Sequence, residues 1–138
     1  MAERTAEQIK ISIGSALLSP DGKKESIAVK GRDLVSGVPK TITLTAPEVS
    51  ESLLETIASI IEVVRVALEN TPPELSSDLV DKGIMMAGGG ALLKGLADLI
   101  SKETGLPVQL AEDPLFCVVN GAGMALEKLD FFRDALMK

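Results

Sequence analysis

Three consecutive glycines, Gly88–Gly90, stand between a short apolar run and a leucine-rich segment with helical spacing. Glycine lets a ligand approach the backbone closely, and a helix that begins directly afterwards offers free N–H groups to an anion. The stretch GIMMAGGGALLKG is not a P-loop, because Lys94 is followed by Gly95 and not by Ser or Thr. It matches the dinucleotide fingerprint only loosely, since the third glycine is missing. From the residues alone, the stretch is either an anion or nucleotide contact or a tight turn.

The remaining chemistry is limited by what the chain lacks. It contains no histidine, and its one cysteine is Cys117. Without imidazole there is no Ser-His or Cys-His nucleophile, and without a second cysteine a zinc site would have only carboxylates as ligands. We therefore predict no catalytic residue and no metal ligand, and we expect Cys117 to be a small core residue.

Charge and hydropathy exclude further classes of function. The net charge over 138 residues is −6, there is no block of Lys and Arg, and only three aromatic residues occur. Nucleic-acid binding is therefore not expected, nor is binding to an anionic membrane surface. No apolar stretch reaches the roughly 18 residues that a membrane span needs. The N-terminal sequence MAERTAEQIK does not resemble a signal peptide, so we predict a cytoplasmic protein.

A small α/β lobe is predicted over residues 14–46, preceded by a helix over 6–13. Thr5 and Gln8 form a capping-box pattern at the start of that helix. Residues 26–30 and 41–45 alternate with a period of two, which predicts an antiparallel pair of strands. The residues expected on its buried face are Ile27, Val29, Ile42 and Leu44.

A long helix over residues 47–69 is predicted to link this lobe to a larger one over residues 71–138. A second capping box, formed by Thr45 and Glu48, precedes it. Its apolar residues recur at three and four positions and should be buried; they are Val49, Leu53, Ile57, Ile60, Val64 and Leu68. Asn70 ends the helix, and a third capping box over 71–74 begins a short helix that ends at Gly83.

The glycines are placed within a strand–helix–strand unit. Residues 84–87 read as a fully buried strand, a helix should follow the glycines directly, and residues 108–110 form the second strand. The length of the crossover predicts that the two strands are parallel.

A further helix is predicted after this unit, with Asp113 as its N-cap and Pro114 at its first position. Gly121 and Gly123 lie inside it, which favours close packing against another backbone. The last apolar segment, 126–137, is predicted to be helical.

Residues 83–123, GIMMAGGGALLKGLADLISKETGLPVQLAEDPLFCVVNGAG, resemble the C-terminal part of the MreB family of bacterial actin-like, rod-shape-determining proteins. ERTAEQIKISIG, GRDLVSGVPKTITLT and ALENTPPELSSDLVDKGI resemble further segments of that family, in the same order. The resemblance covers essentially the whole chain. It implies an α/β fold that is part of an actin-like ATPase domain, with subdomain IIB over 14–46 and the distal half of subdomain IIA over 71–138.

The resemblance also implies a nucleotide site, of which this chain holds the adenosine side. The implied contacts are Arg4, Thr5, Ala6, Glu7 and Lys10 on the first helix, and Gly88, Gly89, Gly90 and Ala91 on the glycine turn. Glu7 and Lys10 lie three apart on one helical face and can bracket a purine or ribose. Without the resemblance, the same pair reads as a solvated ion pair. The implied cofactor is ATP, with Mg²⁺ only where the N-terminal half of the domain is supplied.

The function implied is that of a bacterial actin whose nucleotide-dependent cytoskeletal filaments control cell shape. The groups that would cleave the nucleotide belong to the N-terminal half, so we expect an assembly module with half a nucleotide site. The implied partners are a second copy or full-length MreB, through head-to-tail contacts, and a RodZ-like membrane-linked protein. Membrane association is expected only through partners or the N-terminal half, and uncovered apolar surface predicts a homodimer.

Two alternatives remain open. In the first, the chain is a stand-alone protein that caps or modulates filaments. In the second, it is an ATPase that is completed by a separate N-terminal half.

Overall fold

The computed structural model describes residues 2–137 and has a mixed α/β fold. The regular elements are α1 Glu3–Ile13, β1 Ser26–Arg32, β2 Pro39–Thr45, α2 Ala46–Glu69, α3 Pro73–Lys82, β3 Ile84–Met86, α4 Leu96–Thr104, β4 Val108–Leu110, α5 Cys117–Glu127 and α6 Leu129–Leu136. The strands β1 and β2 pair antiparallel, whereas β3 and β4 pair parallel. The predicted fold class and both strand pairings are thereby confirmed. None of the helices along residues 2–137 is long and apolar enough to cross a lipid bilayer.

One core lies where α1 and the start of α2 pack against the β1–β2 hairpin. Its buried residues are Ile9, Ile13, Val29, Ala46 and Val49. The prediction that Ile42 is buried is wrong, although Ile42 pairs with Val29 across the hairpin. Helix α1 packs over β1 and leaves the middle of β2 open to solvent.

Helix α2 is the longest element and begins with the predicted capping box. The Glu48 carboxylate accepts hydrogen bonds from the backbone N–H and the hydroxyl of Thr45, both at 2.8 Å. With 24 residues the helix is about 36 Å long. Its N-terminal half contributes to the first core and its C-terminal half to a second one, and Leu53 packs against both.

The second core joins α2 to α4 and the parallel strands. Its buried residues are Ile57, Ile61, Leu96 and Ile100. Ile60 was expected here, but its side chain is 38% exposed whereas that of Ile61 is only 7% exposed. Helix α4 packs against α2 residues that are spaced four apart, Ile57 and Ile61, so Ile61 is buried instead of Ile60. At the surface, an ion pair between Arg65 and Glu103 connects α2 to α4.

Two predicted capping boxes are absent. Helix α1 begins at Glu3, before the expected start, and its N-cap is Ala2, whose carbonyl oxygen accepts hydrogen bonds from the N–H groups of Thr5 and Ala6 at 3.0 and 3.1 Å. Thr5 therefore lies inside the helix. Helix α3 has Pro72, not Thr71, as its N-cap, and a proline side chain has no oxygen that could accept a capping hydrogen bond.

The strand β4 has the predicted bounds, whereas β3 is one residue shorter and more exposed than predicted. Ile84 pairs with Val108 and Met86 with Leu110. The side chain of Met85 between them is 63% exposed, so the expectation of a fully buried strand is wrong. Along residues 2–137 this sheet has only two strands, and the face that carries Met85 is not covered.

Helices α5 and α6 pack mainly against each other. Helix α5 begins at Cys117 with Phe116 as its N-cap, so Asp113 and Pro114 do not start it. The expected close packing at Gly121 and Gly123 is also absent, because a Cβ atom at either position would meet nothing within 4 Å. Cys117 is half-buried and is not the core residue that was expected. Much apolar surface of these two helices is exposed; the residues are Val118, Val119, Met124, Leu126, Leu129, Phe131 and Leu136.

Candidate functional site

The helical half of the predicted site lies on the outer face of α1. Ile9 and Ile13 point into the first core and thereby turn Arg4, Glu7 and Lys10 toward solvent. Ala6 is exposed as well, and Thr5 is half-buried. No ion pair joins Glu7 to Lys10 in the part of the chain that the structure describes. Both side chains are therefore available to a ligand.

A groove runs beside this helical half. Ala6, Glu7 and Lys10 line it on the α1 side, and Leu44, Val49, Ser52 and Leu53 line it on the side of β2 and α2. Its volume is about 340 Å³. A charged rim over an apolar floor suits a flat, partly polar ligand. The α2 residues were not predicted as lining residues, since nothing in their spacing distinguishes them from ordinary core positions.

The glycine half forms a 3₁₀ turn, Gly89–Leu92, directly after β3. Helix α4 begins only at Leu96, so the prediction of a helix directly after the glycines is wrong. The last hydrogen bond of the 3₁₀ turn runs from the N–H of Leu93 to the carbonyl oxygen of Gly90 at 3.2 Å. The extended ψ of 123° at Leu93 and the left-handed φ of 76° at Gly95 then separate the turn from α4. The N–H groups at the start of α4 are therefore separated from the glycines.

The space in front of the glycine turn is open. A Cβ atom at Gly88 or Gly90 would meet nothing within 4 Å, whereas one at Gly89 would lie 3.1 Å from Leu115 Cδ2. Ala91 is buried and anchors the turn to the interior. Backbone on the open side can therefore be approached by a ligand of ordinary thickness.

The helical half and the glycine half of the predicted site are joined by residues that follow each of them in the sequence. Ser15, two residues after α1, forms a parallel bridge with Lys94. The carbonyl oxygen of Lys94 accepts hydrogen bonds from Ala16 N at 2.8 Å and from Ser15 Oγ at 3.0 Å. Sequence reasoning did not find this junction, because Ser15 and Lys94 are 79 residues apart and neither belongs to a periodic pattern.

The structure does not enclose both halves in one cavity. A second cavity of about 240 Å³ lies at the junction and is lined by Ser15, Glu25, Lys94, Gly95 and Asp98, among others. Neither this cavity nor the α1 groove is lined by Gly88–Ala91. The nucleotide contacts therefore remain a prediction, made from two stretches that share a junction and have open outer faces.

In the described part of the chain, two carboxyl groups have a clearly lowered pKa, and both lie outside the predicted site. Hydrogen bonds from the backbone N–H and the hydroxyl of Thr45 lower the pKa of Glu48, and backbone N–H groups of Ser36 and Val35 lower that of Asp33. Both shifts come from turns and helix caps. Among residues 2–137, no cluster of three or more His, Cys, Asp or Glu residues is placed to hold a metal ion.

Comparison with known proteins identifies the family. The sequence profile of the MreB/Mbl protein family matches residues 1–134. The chain belongs to the MreB/Mbl family. It is 48% identical over 130 residues to the cell shape-determining protein Mbl of Bacillus subtilis, and 49% identical over 130 residues to the cell shape-determining protein MreB of Escherichia coli. These matches cover 94% of this chain, but the chain spans only 38% of Mbl and 37% of MreB.

Solved MreB structures have the same fold. The chain superposes with a TM-score of 0.86 on MreB5 of Spiroplasma citri bound to ADP, at 35% sequence identity, over 94% of this chain and 39% of MreB5. It superposes equally well, at 33% identity, on MreB5 bound to AMPPNP. The actin-like fold that the resemblance implied is thereby confirmed for a part of an MreB.

Proposed function

We propose that this chain is the C-terminal, subdomain II part of an MreB-type bacterial actin that forms cytoskeletal filaments and controls cell shape, and that this part is an assembly module. In this proposal residues 14–46 are the IIB-like lobe, residues 71–138 the IIA-like lobe, and the helix over 47–69 links them. The names of its relatives support the role in cell shape. The observation that carries the assembly role is a hairpin whose end holds two almost fully exposed apolar side chains.

That end, the hairpin tip, comprises residues 33–38 between β1 and β2. Leu34 and Val35 are each 99% exposed. The loop that carries them is nevertheless ordered, because Asp33 Oδ1 accepts hydrogen bonds from Val35 N at 2.8 Å and Ser36 N at 3.0 Å. A preordered loop loses little conformational entropy on docking, so its apolar side chains can contribute fully to association.

The charges of the molecule favour a second copy as the partner of the tip. The exposed basic residues Lys30, Arg32 and Lys40 surround the tip. The end of α2 leads into α3, whose exposed surface combines apolar residues with an excess of acidic ones: Glu74, Leu75, Asp78, Val80 and Asp81, beside one base, Lys82. The two patches are therefore complementary in net charge.

Two different patches of complementary charge on one chain support a head-to-tail contact. Such a contact is heterologous, so it leaves an unused patch at each end and can propagate into a filament. The exposed apolar surface of α5 and α6 supports a further contact, with a second copy as a homodimer or with the remainder of an MreB domain. We propose a cytoplasmic location, with membrane association only through a RodZ-like partner or the N-terminal half.

The nucleotide half-site is the second part of the proposal. The open face of Gly88 and Gly90 and the groove beside Glu7 and Lys10 support contacts with the adenosine side of ATP. The related MreB5 structures contain ADP and AMPPNP, which supports a nucleotide as the ligand. Hydrolysis and Mg²⁺ binding would require groups from the N-terminal half of the domain, so the chain alone is not proposed as an enzyme.

Cosedimentation with a full-length MreB tests the assembly role. We expect the wild-type chain to pellet with filaments and the variant Leu34→Ser/Val35→Ser to bind at least about a hundredfold more weakly, because each lost side chain forgoes roughly 1.5–3 kcal/mol of burial. The matched control is Val63→Ser/Val66→Ser, which removes two exposed valines from the C-terminal third of α2. Equal pelleting of the tip variant and the wild type would refute the proposal.

The same samples separate the alternatives. Shortening of filaments at substoichiometric ratios would favour the capping protein. Turnover of ATP that appears only when an N-terminal half is added would favour the complemented ATPase, and tight ATP binding with turnover by the chain alone would contradict the half-site.

A further inference from the structure

Lys94 forms hydrogen bonds and an ion pair with three separate parts of the molecule at the junction between the glycine turn and α1. We propose that Lys94 is a positioning residue, which holds the glycine turn at a fixed distance from α1 and thereby sets the spacing between the two halves of the nucleotide site. This inference rests on the proposed nucleotide half-site.

The side chain of Lys94 reaches across the junction. Its Nζ donates a hydrogen bond to the carbonyl oxygen of Ser12 at 2.9 Å, 82 residues away in sequence, and lies 3.6 Å from Glu25 Oε2. Ser12 is in the last turn of α1, where carbonyl groups have no partner within the helix and where the helix dipole favours a positive charge. Glu25 directly precedes β1 and belongs to the small lobe.

The main chain of the same residue is held from the other side. The carbonyl oxygen of Lys94 accepts both Ala16 N and Ser15 Oγ, and Ser15 is only 7% exposed. Gly95 packs closely against Leu17, since a Cβ atom there would lie 2.8 Å from Leu17 N. Lys94 therefore contacts the end of α1, the segment that follows it and the small lobe at once.

These contacts act on geometry more than on stability. The lysine side chain is 55% exposed and that of Glu25 is 49% exposed, and exposed ion pairs contribute little to the free energy of unfolding. Helix α2 keeps the two cores connected without Lys94. Loss of the amine would instead return Ser12 O and Glu25 to water and allow the glycine turn to shift relative to α1.

The alternative role for Lys94 is that of a solvated surface lysine. A solvated lysine has no directional partner, so its replacement would alter neither the distance across the junction nor the affinity for a nucleotide. Lys102 provides the matched control, because it is an exposed lysine in the last turn of α4.

The spacing is measured by double electron–electron resonance between nitroxide labels. The labels are placed at Gln8→Cys on α1 and Leu92→Cys at the end of the glycine turn, both exposed positions, in a Cys117→Ser background. We expect a narrow distance distribution for the parent chain and for Lys102→Met, a broadened or displaced one for Lys94→Met, and recovery of the narrow one for Lys94→Arg.

Affinity for AMPPNP is measured on the same series without labels. We expect Lys94→Met to bind about fivefold more weakly, as when the spacing that binds the nucleotide is populated only about one fifth of the time, and Lys94→Arg to recover. The midpoint of urea unfolding should stay unchanged in all variants.

Each outcome decides the inference. An unchanged distance distribution in Lys94→Met overturns it, and so does a changed distribution with undiminished AMPPNP affinity. If the parent chain binds no AMPPNP while Lys94→Met still changes the distance, the proposed half-site fails and the role of Lys94 in spacing the turn from α1 stands.

Discussion

Replacement of Gly95 by alanine tests the junction at its tightest point. Gly95 has φ 76° and ψ −1°, a left-handed conformation that costs an alanine roughly 1–2 kcal/mol. The added Cβ would also lie 2.8 Å from Leu17 N and 2.9 Å from both Leu17 Cβ and Leu17 O. The displacement of backbone atoms adds about 1–3 kcal/mol, as for an overpacked core. We therefore expect Gly95→Ala to lower the free energy of unfolding by about 2–5 kcal/mol in total.

A second glycine separates these two costs. Gly105 ends α4 with nearly the same backbone angles, φ 73° and ψ 9°, but a Cβ atom there would meet nothing within 4 Å. Gly105→Ala should therefore lose only the conformational cost, roughly 1–2 kcal/mol. Both changes in the free energy of unfolding are to be measured by urea unfolding, monitored by far-UV circular dichroism. If the two variants agree within about 0.5 kcal/mol, the close approach of Gly95 to Leu17 has no energetic consequence and the reasoning is refuted.

Three further predictions concern α2 and the hairpin tip. Ile57→Ala should cost roughly 2–5 kcal/mol of unfolding free energy and Ile60→Ala under about 1 kcal/mol, and equal losses would contradict the assignment of the buried row. The lowered pKa of Glu48 contributes stability that is present above its ordinary value of 4.5 and is lost as the pH falls through the lowered pKa, so urea unfolding of Glu48→Gln should depend less on pH in that range. Asp33→Ala should free the tip and weaken cosedimentation while the unfolding midpoint stays unchanged; unweakened cosedimentation would show that order in the tip is irrelevant.

Features that depend on a few neighbouring residues were predictable from the sequence. The capping box of Thr45 and Glu48 and the alternation that gives the β1–β2 hairpin act within four to seven residues, and both are confirmed. Other predictions failed where a distant contact decides. Pro114 does not open α5, because its carbonyl oxygen accepts a hydrogen bond from the N–H of Gly88 at 2.7 Å, which holds the segment in a turn.

The candidate site shows the same division. The glycine turn was predicted from its local sequence, because three adjacent glycines after an apolar run indicate a turn that follows a strand. The start of α4 was misplaced, because the residues after the glycines have helical spacing but first form a 3₁₀ turn. The exposure of Met85 could not be read from an apolar run, because a run of this kind predicts burial only if further strands or helices cover it.

Helix α2 has a mechanical consequence. Its 24 residues pass from one core to the other without a break, and Leu53, about a third of the way along, packs against both cores. A helix of this length bends gently but does not shorten without breaking backbone hydrogen bonds. A displacement of one core along the helix axis is therefore passed to the other core, and α2 keeps the spacing between the two cores constant.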